Sequence, residues 1–329
     1  MFNKYVLKQM LYFMLAYLLI TSFLIYPKNC EGVMLVTVPD DFSTVNGAIA
    51  FVSSGGAVKI RGGAYSEYIY LTKSVVLIGE KNPKILETLT MEEVGNVTVK
   101  GISFEIIPPG AAYGIIVLNV DVVVLEDLNF KGGGILIVNA TNITLRNCSF
   151  IETPGPAIQI RGSSKNVVVE NCIFNKTYTA LSVRQGVNIT FRFNTVYAED
   201  ISIKLFSKCV NTTIYMNNIF RGEVEDNGLN NKWYSETLKL GNFWGELSLE
   251  GDRDGDGIVD KPKNIGGAAQ SVDKYPLAKP FREYMGSKNQ LASIQTIIIA
   301  VATIATVAAV VIATVFYRRR CGKVERKRS

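Results

Sequence analysis

Histidine is absent from this chain of 329 residues. That absence removes the commonest general base, the commonest transition-metal ligand and every Ser-His or Cys-His nucleophile pair. Cysteine is scarce: five thiols with no Cys-x-x-Cys fit neither a disulfide-rich scaffold nor a zinc site. Long amphipathic helical patterns are missing, which argues against βαβ crossovers. A basic main body is missing as well, although the whole chain carries +6. Seven basic residues against Glu325 put +6 on the tail after Tyr317, and three lysines against Glu31 put +2 on the first 32 residues, so Val33 to Tyr317 carries −2. A mildly acidic body has no bias suited to nucleic acid.

What the chain does have is a recurring nine-residue phrase that ends on a large apolar residue. It runs from Asn96 to Phe104, Val122 to Phe130, Asn142 to Phe150, Asn166 to Phe174, Asn188 to Val196 and Thr212 to Phe220. Its end points step by 26, 20, 24, 22 and 24 residues. A unit this short cannot bury its own apolar face, so it must stack on copies of itself. Between the phrases lies a second strand set at Ile115–Leu118, Ile135–Val138, Ile158–Arg161, Leu181–Arg184 and Ile201–Lys204. Two or three short strands per repeat predict an all-β, single-stranded parallel β-helix over residues 33–240. Thr44 followed by Val45, Ile49 and Val52 predicts a short helix that caps its first coil. Residues 241–281 form a C-terminal cap.

Both ends have membrane character. Lys4 and Lys8 precede an apolar run from Met10 to Tyr26, so residues 1–32 read as a signal peptide or an N-terminal anchor. After a short stalk at 282–296, residues 297–317 carry no charge, enough for one transmembrane helix of roughly 30 Å. Arg318, Arg319 and Arg320 open the basic tail at 318–329, which places the C-terminus in the cytoplasm and the bulk of the chain outside.

Position by position, the phrase predicts its own packing. Positions two and four point inward, as at Val97/Val99 and Ile143/Leu145. Position five reads Lys100, Glu126, Arg146, Glu170, Arg192, an alternation that predicts an outward ion-pair ladder rather than a catalytic carboxylate pair. Position seven reads Ile102, Leu128, Cys148, Cys172, Asn194, Asn218, a column expected to be buried, with stacked thiols and an amide ladder. Seven Asn-x-Ser/Thr sequons occur, at Asn96, Asn139, Asn142, Asn147, Asn175, Asn188 and Asn211, of which Asn139 and Asn175 are expected in turns and better placed as acceptors.

Two features point to ligands. Arg161, Arg184 and Lys204 align as a column of like charge, which calls for an anionic partner: a surface carboxylate such as Glu199 or Asp200, or an acidic sugar. The loop Asp252-Arg-Asp-Gly-Asp-Gly-Ile-Val-Asp260 offers Asp252, Asp254, Asp256 and Asp260 to a hard cation, with Ca2+ in a structural role. An EF-hand would need Glu where Lys263 stands.

The opening Val38-Pro-Asp-Asp-Phe-Ser-Thr-Val-Asn-Gly-Ala-Ile49, then Ala64-Tyr-Ser-Glu67 and Lys73 to Glu80, resembles pectin-lyase-like right-handed β-helix proteins. The close of the domain, Gly241-Asn-Phe-Trp-Gly245, the aspartate loop, Ile265-Gly-Gly267 and Asp273-Lys-Tyr-Pro-Leu277, resembles the NosD-like periplasmic and surface β-helix family. The resemblance spans roughly residues 36–281. It implies a right-handed coil, export and contact with carbohydrate. The copper binding attached to that family has no counterpart here, because histidine is absent and no methionine or cysteine cluster is expected to face outward. Asp121 and Asp127 do not form the aspartate cluster that carbohydrate-active enzymes of this fold use. The expected role is therefore a membrane-anchored surface protein that binds carbohydrate or displays a binding surface, without catalysis. A structural envelope or adhesion protein is the alternative, and a polysaccharide lyase or hydrolase a further one.

Overall fold

The computed structural model describes residues 34–106, 113–245 and 251–287. The apolar runs at 10–26 and 297–317, and the basic tail, lie outside them. Among the described residues no helix is long and apolar enough to cross a membrane.

The chain winds into a parallel β-solenoid of about nine turns. Each full turn contributes three strands to three parallel rows. The phrase row includes Asn96–Lys100, Val122–Glu126, Thr141–Arg146 and Lys165–Glu170. The short row includes Ser103–Glu105, Asn129–Lys131 and Ser149–Ile151. The return row includes Leu89–Glu92, Tyr113–Leu118, Gly134–Val138 and Pro156–Arg161. Every pairing within these rows is parallel and joins one coil to the next, as Val99 to Leu125, Leu125 to Leu145 and Leu145 to Val169.

Coils turn where the backbone enters the left-handed region. The sixth position of each phrase does so: Gly101, Asp127, Asn147, Asn171, Phe193 and Met216 have φ between 54 and 69°. Glycine, asparagine and aspartate accept this conformation at low cost. Phe193 and Met216 do not, and each stores on the order of 1 kcal/mol of strain held by its neighbours. The asparagines at position one have the same cause: Asn142, Asn166, Asn188 and Asn211 all have φ near 56°.

The interior is a set of stacked columns. At position nine Phe104, Phe130, Phe150 and Phe174 stack face to face, with centroids 4.7–5.1 Å apart and planes within 9°. Such pairs add ~0.5–1.5 kcal/mol each beyond area burial. At position seven Ile102, Leu128, Cys148 and Cys172 are buried, and both cysteines are free thiols. The column then becomes polar. Asn194 accepts from Cys172 N–H at 2.8 Å and donates to the Val169 carbonyl and to Asn217 Oδ1, both at 3.0 Å. Asn217 repeats the arrangement one coil later, with Phe191 and Asn242.

The amide ladder corrects one expectation. Phe191 pairs with Ile214 and Val196 with Ile219, so the sixth phrase runs from Asn211 to Ile219. Asn217, not Asn218, continues the column. Asn218 instead accepts from Phe281 N–H at 2.8 Å, and Phe220 faces outward against Tyr197. The outward ladder at position five forms in two segments: Glu126 pairs with Lys100 (3.1 Å) and Arg146 (3.0 Å), and Glu170 with Arg192 (2.7 Å). Tyr215 takes the slot after Arg192 and accepts from its guanidinium at 3.0 Å.

Both described ends are closed. Helix α1 (Val45–Phe51) buries Val45, Ala48 and Ile49 over the first coil. Thr44 accepts from Gly47 N–H, and the Glu67 carboxylate accepts from the N–H groups of Val45 and Asn46 at 2.7 and 3.1 Å. A carboxylate there satisfies donors that the helix itself cannot.

Truncating Asn217 to Ala should lower the unfolding free energy by about 3 kcal/mol, because it orphans buried groups on both neighbouring coils. Arg192→Ala, which opens the partly exposed pair with Glu170 and the bond to Tyr215, should cost less, about 1 kcal/mol. Denaturant midpoints of the two variants check this ranking.

Candidate functional site

The outer face of the return row changes character along the axis. Ile116, Leu118, Leu136 and Val138 are half-buried aliphatic residues that point outward. Gln159 and Arg161 follow in the next coil, in register with Leu136 and Val138. Ile160 pairs with Val183, which puts Arg161 and Arg184 in the same slot of adjacent coils. Both guanidiniums are exposed. Coil spacing of ~4.8 Å makes them repel, so the pair is stable only beside compensating charge or open water. Among the described residues neither has a carboxylate within ion-pair distance, whereas Arg61, Arg146 and Arg192 all do. Asp200, a sequence-based candidate to neutralise them, accepts from the Tyr178 hydroxyl.

Two neighbouring side chains border the pair. The Tyr113 hydroxyl donates to Gln159 Oε1 at 2.7 Å. Burial raises the Tyr113 phenol above its usual range, and the charges of Arg161 and Arg184 oppose that rise. Arg184 lies 5.1 Å from the centroid of Phe206, a cation–π distance.

Lys204 does not belong to this column. Val183 pairs with Leu205 and Ser182 with Lys204, so Phe206 takes the slot after Arg184. Lys204 is neutralised by Glu225 at 2.7 Å, and that contact also holds the Glu225 carboxyl below its usual range. The expected triad of cations is therefore a pair.

The aspartate loop is partly assembled. Oxygens of Asp252, Asp254 and Asp256 lie within 4.8 Å of one another, the one such grouping of His, Cys, Asp and Glu among the described residues. Asp252 Oδ2 accepts from Gly257 N–H, while its Oδ1 is buried without a hydrogen-bond partner. Gly257 has φ of 89°, and a Cβ there would come within 2.7 Å of the Tyr284 ring. Asp260 stands outside the group and turns back to accept from Arg253 N–H at 3.2 Å.

The aromatics on the short row are partly engaged with one another. Tyr197 and Phe220 stack on each other at 4.6 Å with planes 2° apart, and Phe220 meets the Phe243 ring edge-on. One face of each ring is thus covered by its neighbour.

Asp273, which the sequence offered only as part of the closing family motif, locks the C-terminal cap. Asp273 is buried and accepts from Asn242 N–H (2.8 Å), Trp244 Nε1 (3.0 Å) and Tyr275 N–H (3.1 Å). It terminates the amide ladder. Asp226, fully buried, does similar work by accepting from Trp233, Asn231, Ser271 and Gly228.

A sequence model of the family described as "Periplasmic copper-binding protein (NosD)" matches residues 49–249. The chain belongs to the NosD family. Among solved structures, PfbA, a surface adhesin of Streptococcus pneumoniae, is similar at 13% identity and a TM-score of 0.40, covering 60% of this chain and 74% of that one. ORF18 of Geobacillus virus E2 is similar at 15% identity and a TM-score of 0.28, covering 64% of this chain and 59% of that one. No match was found among curated proteins.

This NosD-family chain does not offer a copper-ligating set among its described residues. It has no histidine, and Cys148, Cys172 and Cys209 are each buried in the coil interior. Burial raises the Cys172 thiol well above its usual range and the Cys209 thiol to about 12, which keeps both protonated and poor ligands.

Burial also pushes the Asp273 carboxyl up to about 6, against the hydrogen bonds that pull it down. In the unfolded chain an aspartate titrates near ~3.9. Between those values the folded chain holds a proton that the unfolded chain has lost. Stability should therefore be fully present below pH ~4, fall by about 3 kcal/mol as pH rises to ~6, and level off above. Unfolding midpoints at pH 4 to 7 should show this slope in the wild type, and Asp273→Asn should remove it.

Proposed function

We propose that this NosD-family β-helix acts outside the cytoplasm as a binding surface for an acidic glycan, contacted by Arg161 and Arg184. One observation carries the reading: two exposed guanidiniums occupy adjacent coils without a carboxylate partner among the described residues. The planar fork of a guanidinium binds two oxygens of a carboxylate or sulfate group by paired hydrogen bonds. A chain of acidic sugars laid along the solenoid axis would meet the two in succession. The half-buried aliphatic residues beside Arg161 would pack against the apolar faces of its neighbouring sugars. The run at 297–317 and the basic residues behind it would tether the protein to the membrane, with the coils outside.

Binding of acidic polysaccharides to the full-length protein should weaken ~10–100-fold in Arg184→Glu, the loss expected for a charge-assisted contact. It should also weaken as salt rises. Unchanged affinity in that variant would sink the proposal, and release of unsaturated sugar ends during the assay would assign a lyase instead.

The aspartate loop supports a second, structural proposal: a calcium ion held by Asp252, Asp254 and Asp256. The support is the convergence of the three carboxylates and the partnerless buried Asp252 Oδ1. Weak extracellular sites of this kind bind with Kd of ~10⁻⁴–10⁻³ M. Calcium at 100-fold above Kd should raise unfolding free energy by about 2.7 kcal/mol, and Asp254→Asn with Asp256→Asn should abolish the gain. Calorimetry that detects no heat of binding to the wild type would refute it.

A further inference from the structure

The seven sequons fall into two groups once their side chains are placed. Four belong to hydrogen-bonded ladders on the outer surface. Asn139 donates to Asn119 at 3.3 Å and accepts from Ser163 N–H, bonds that a glycan on its Nδ2 would disturb in the folded coil. Asn147 donates to Asp127, Asn188 donates to Asn166, and Asn142 accepts from Asn166. Among the described residues Asn96, Asn175 and Asn211 make no side-chain hydrogen bond, and all three are exposed.

Asn175 differs from the other two in what surrounds it. It sits between Ile151 and Tyr197 in one outward column of the short row. Ile173 lies two residues earlier on the same face. Ile151 is 38% exposed, Ile173 48% and Tyr197 39%. An uncommitted polar amide thus stands at the centre of an apolar strip. Tyr197 stacks with Phe220 of the following coil at a separation equal to about one coil. Its opposite ring face is therefore turned toward the coil that carries Asn175.

We propose that Asn175 is an N-glycosylation site whose glycan covers the strip formed by Ile151, Ile173 and Tyr197. The first sugar, leaving Nδ2, meets the free face of Tyr197 and presents its own apolar face to it. In the transfer, Nδ2 of Asn175 attacks the anomeric carbon of a polyprenyl-phosphate- or diphosphate-linked oligosaccharide. The C1–N bond forms, the C1–O bond to phosphate breaks, and the lipid phosphate leaves with the bonding electrons. One amide proton passes to a base of the transferase. Thr177, the hydroxyl residue of the sequon, is fully buried, so transfer precedes closure of its coil. Its Oγ1 has no hydrogen-bond partner, a feature it shares with Thr153 one coil earlier. Thr177→Val therefore removes the acceptor signal without breaking a hydrogen bond.

The experiment is peptide mass spectrometry on the full-length protein isolated from its own cells, as wild type, Thr177→Val and Thr177→Ser. The peptide containing Asn175 should carry added sugar mass in the wild type and in Thr177→Ser and be bare in Thr177→Val. Fluorescence of an apolar-surface dye should rise severalfold in Thr177→Val alone. An unmodified Asn175 peptide in the wild type overturns the site. A glycan whose loss leaves dye binding unchanged overturns its covering role.

Discussion

The coil-to-coil hydrogen bond governs this molecule. Every strand residue is held at ~4.8 Å from its counterparts above and below. A side chain must therefore be compatible with its own kind at that spacing. The chain meets this demand in several ways. Phenyl rings stack flat from Phe104 to Phe174. Amides donate and accept in line from Asn194 to Asn242. Charges alternate from Lys100 to Arg192. Aliphatic residues fill what remains of the core. Two like charges in succession satisfy none of these, and on the return row Arg161 and Arg184 are such a pair.

The buried column at position seven explains how the coils are joined to their cap. Isoleucine, leucine and cysteine pack well against one another but have no directional group to hold an irregular segment. From Asn194 onward each amide satisfies backbone N–H and C=O groups of the neighbouring coil as well as the next amide. The chain of bonds ends on Asp273, which also receives Trp244. A polar interior is costly unless every member is satisfied. Here the last member is a carboxylate supplied by the cap, so the final coil is complete only when the cap is docked. Docking in turn sets the aspartate loop, since Val259 N–H bonds to the Pro276 carbonyl and Ile258 bridges Leu277 beside Asp273.

Much of this was legible in the sequence because stacking copies a pattern from coil to coil. The inward pairs, the ion-pair ladder and the thiol positions follow from the phrase and its alternation, and the capping helix from Thr44 and the spacing of Val45, Ile49 and Val52. Two register slips arose in different ways. The run Ile201-Ser-Ile-Lys-Leu205 alternates with period two, so shifting it by two residues leaves its inward face unchanged. Coil length decides instead: Phe174 to Val196 is a step of 22, and the same step carries Val183 to Leu205. Lys204 therefore pairs with Ser182 and leaves the arginine column. The other slip is by one residue: asparagine stands at both 217 and 218, and the pairing of Val196 with Ile219 assigns the column to Asn217. The buried role of Asp273, named only within the closing motif, was illegible for a different reason. The residue lies in an irregular segment, where no period announces which side chain turns inward.

Ladders also decide which polar residues are left for chemistry. Glu126 and Glu170 each hold a basic neighbour, so both are engaged in the ladder. Lys204 is engaged by Glu225. The asparagines at 139, 142, 147 and 188 are tied to their counterparts on neighbouring coils. Repetition thus commits most of the surface to holding the solenoid in register. An outward group is available to a partner only where its column is interrupted. Leu136, Val138 and Phe206 interrupt the return row on either side of the arginines, and Ile151 and Tyr197 flank Asn175 on the short row. In a solenoid, then, the informative residue is the one whose neighbours along the axis do not resemble or complement it, because nothing in the stack accounts for its presence.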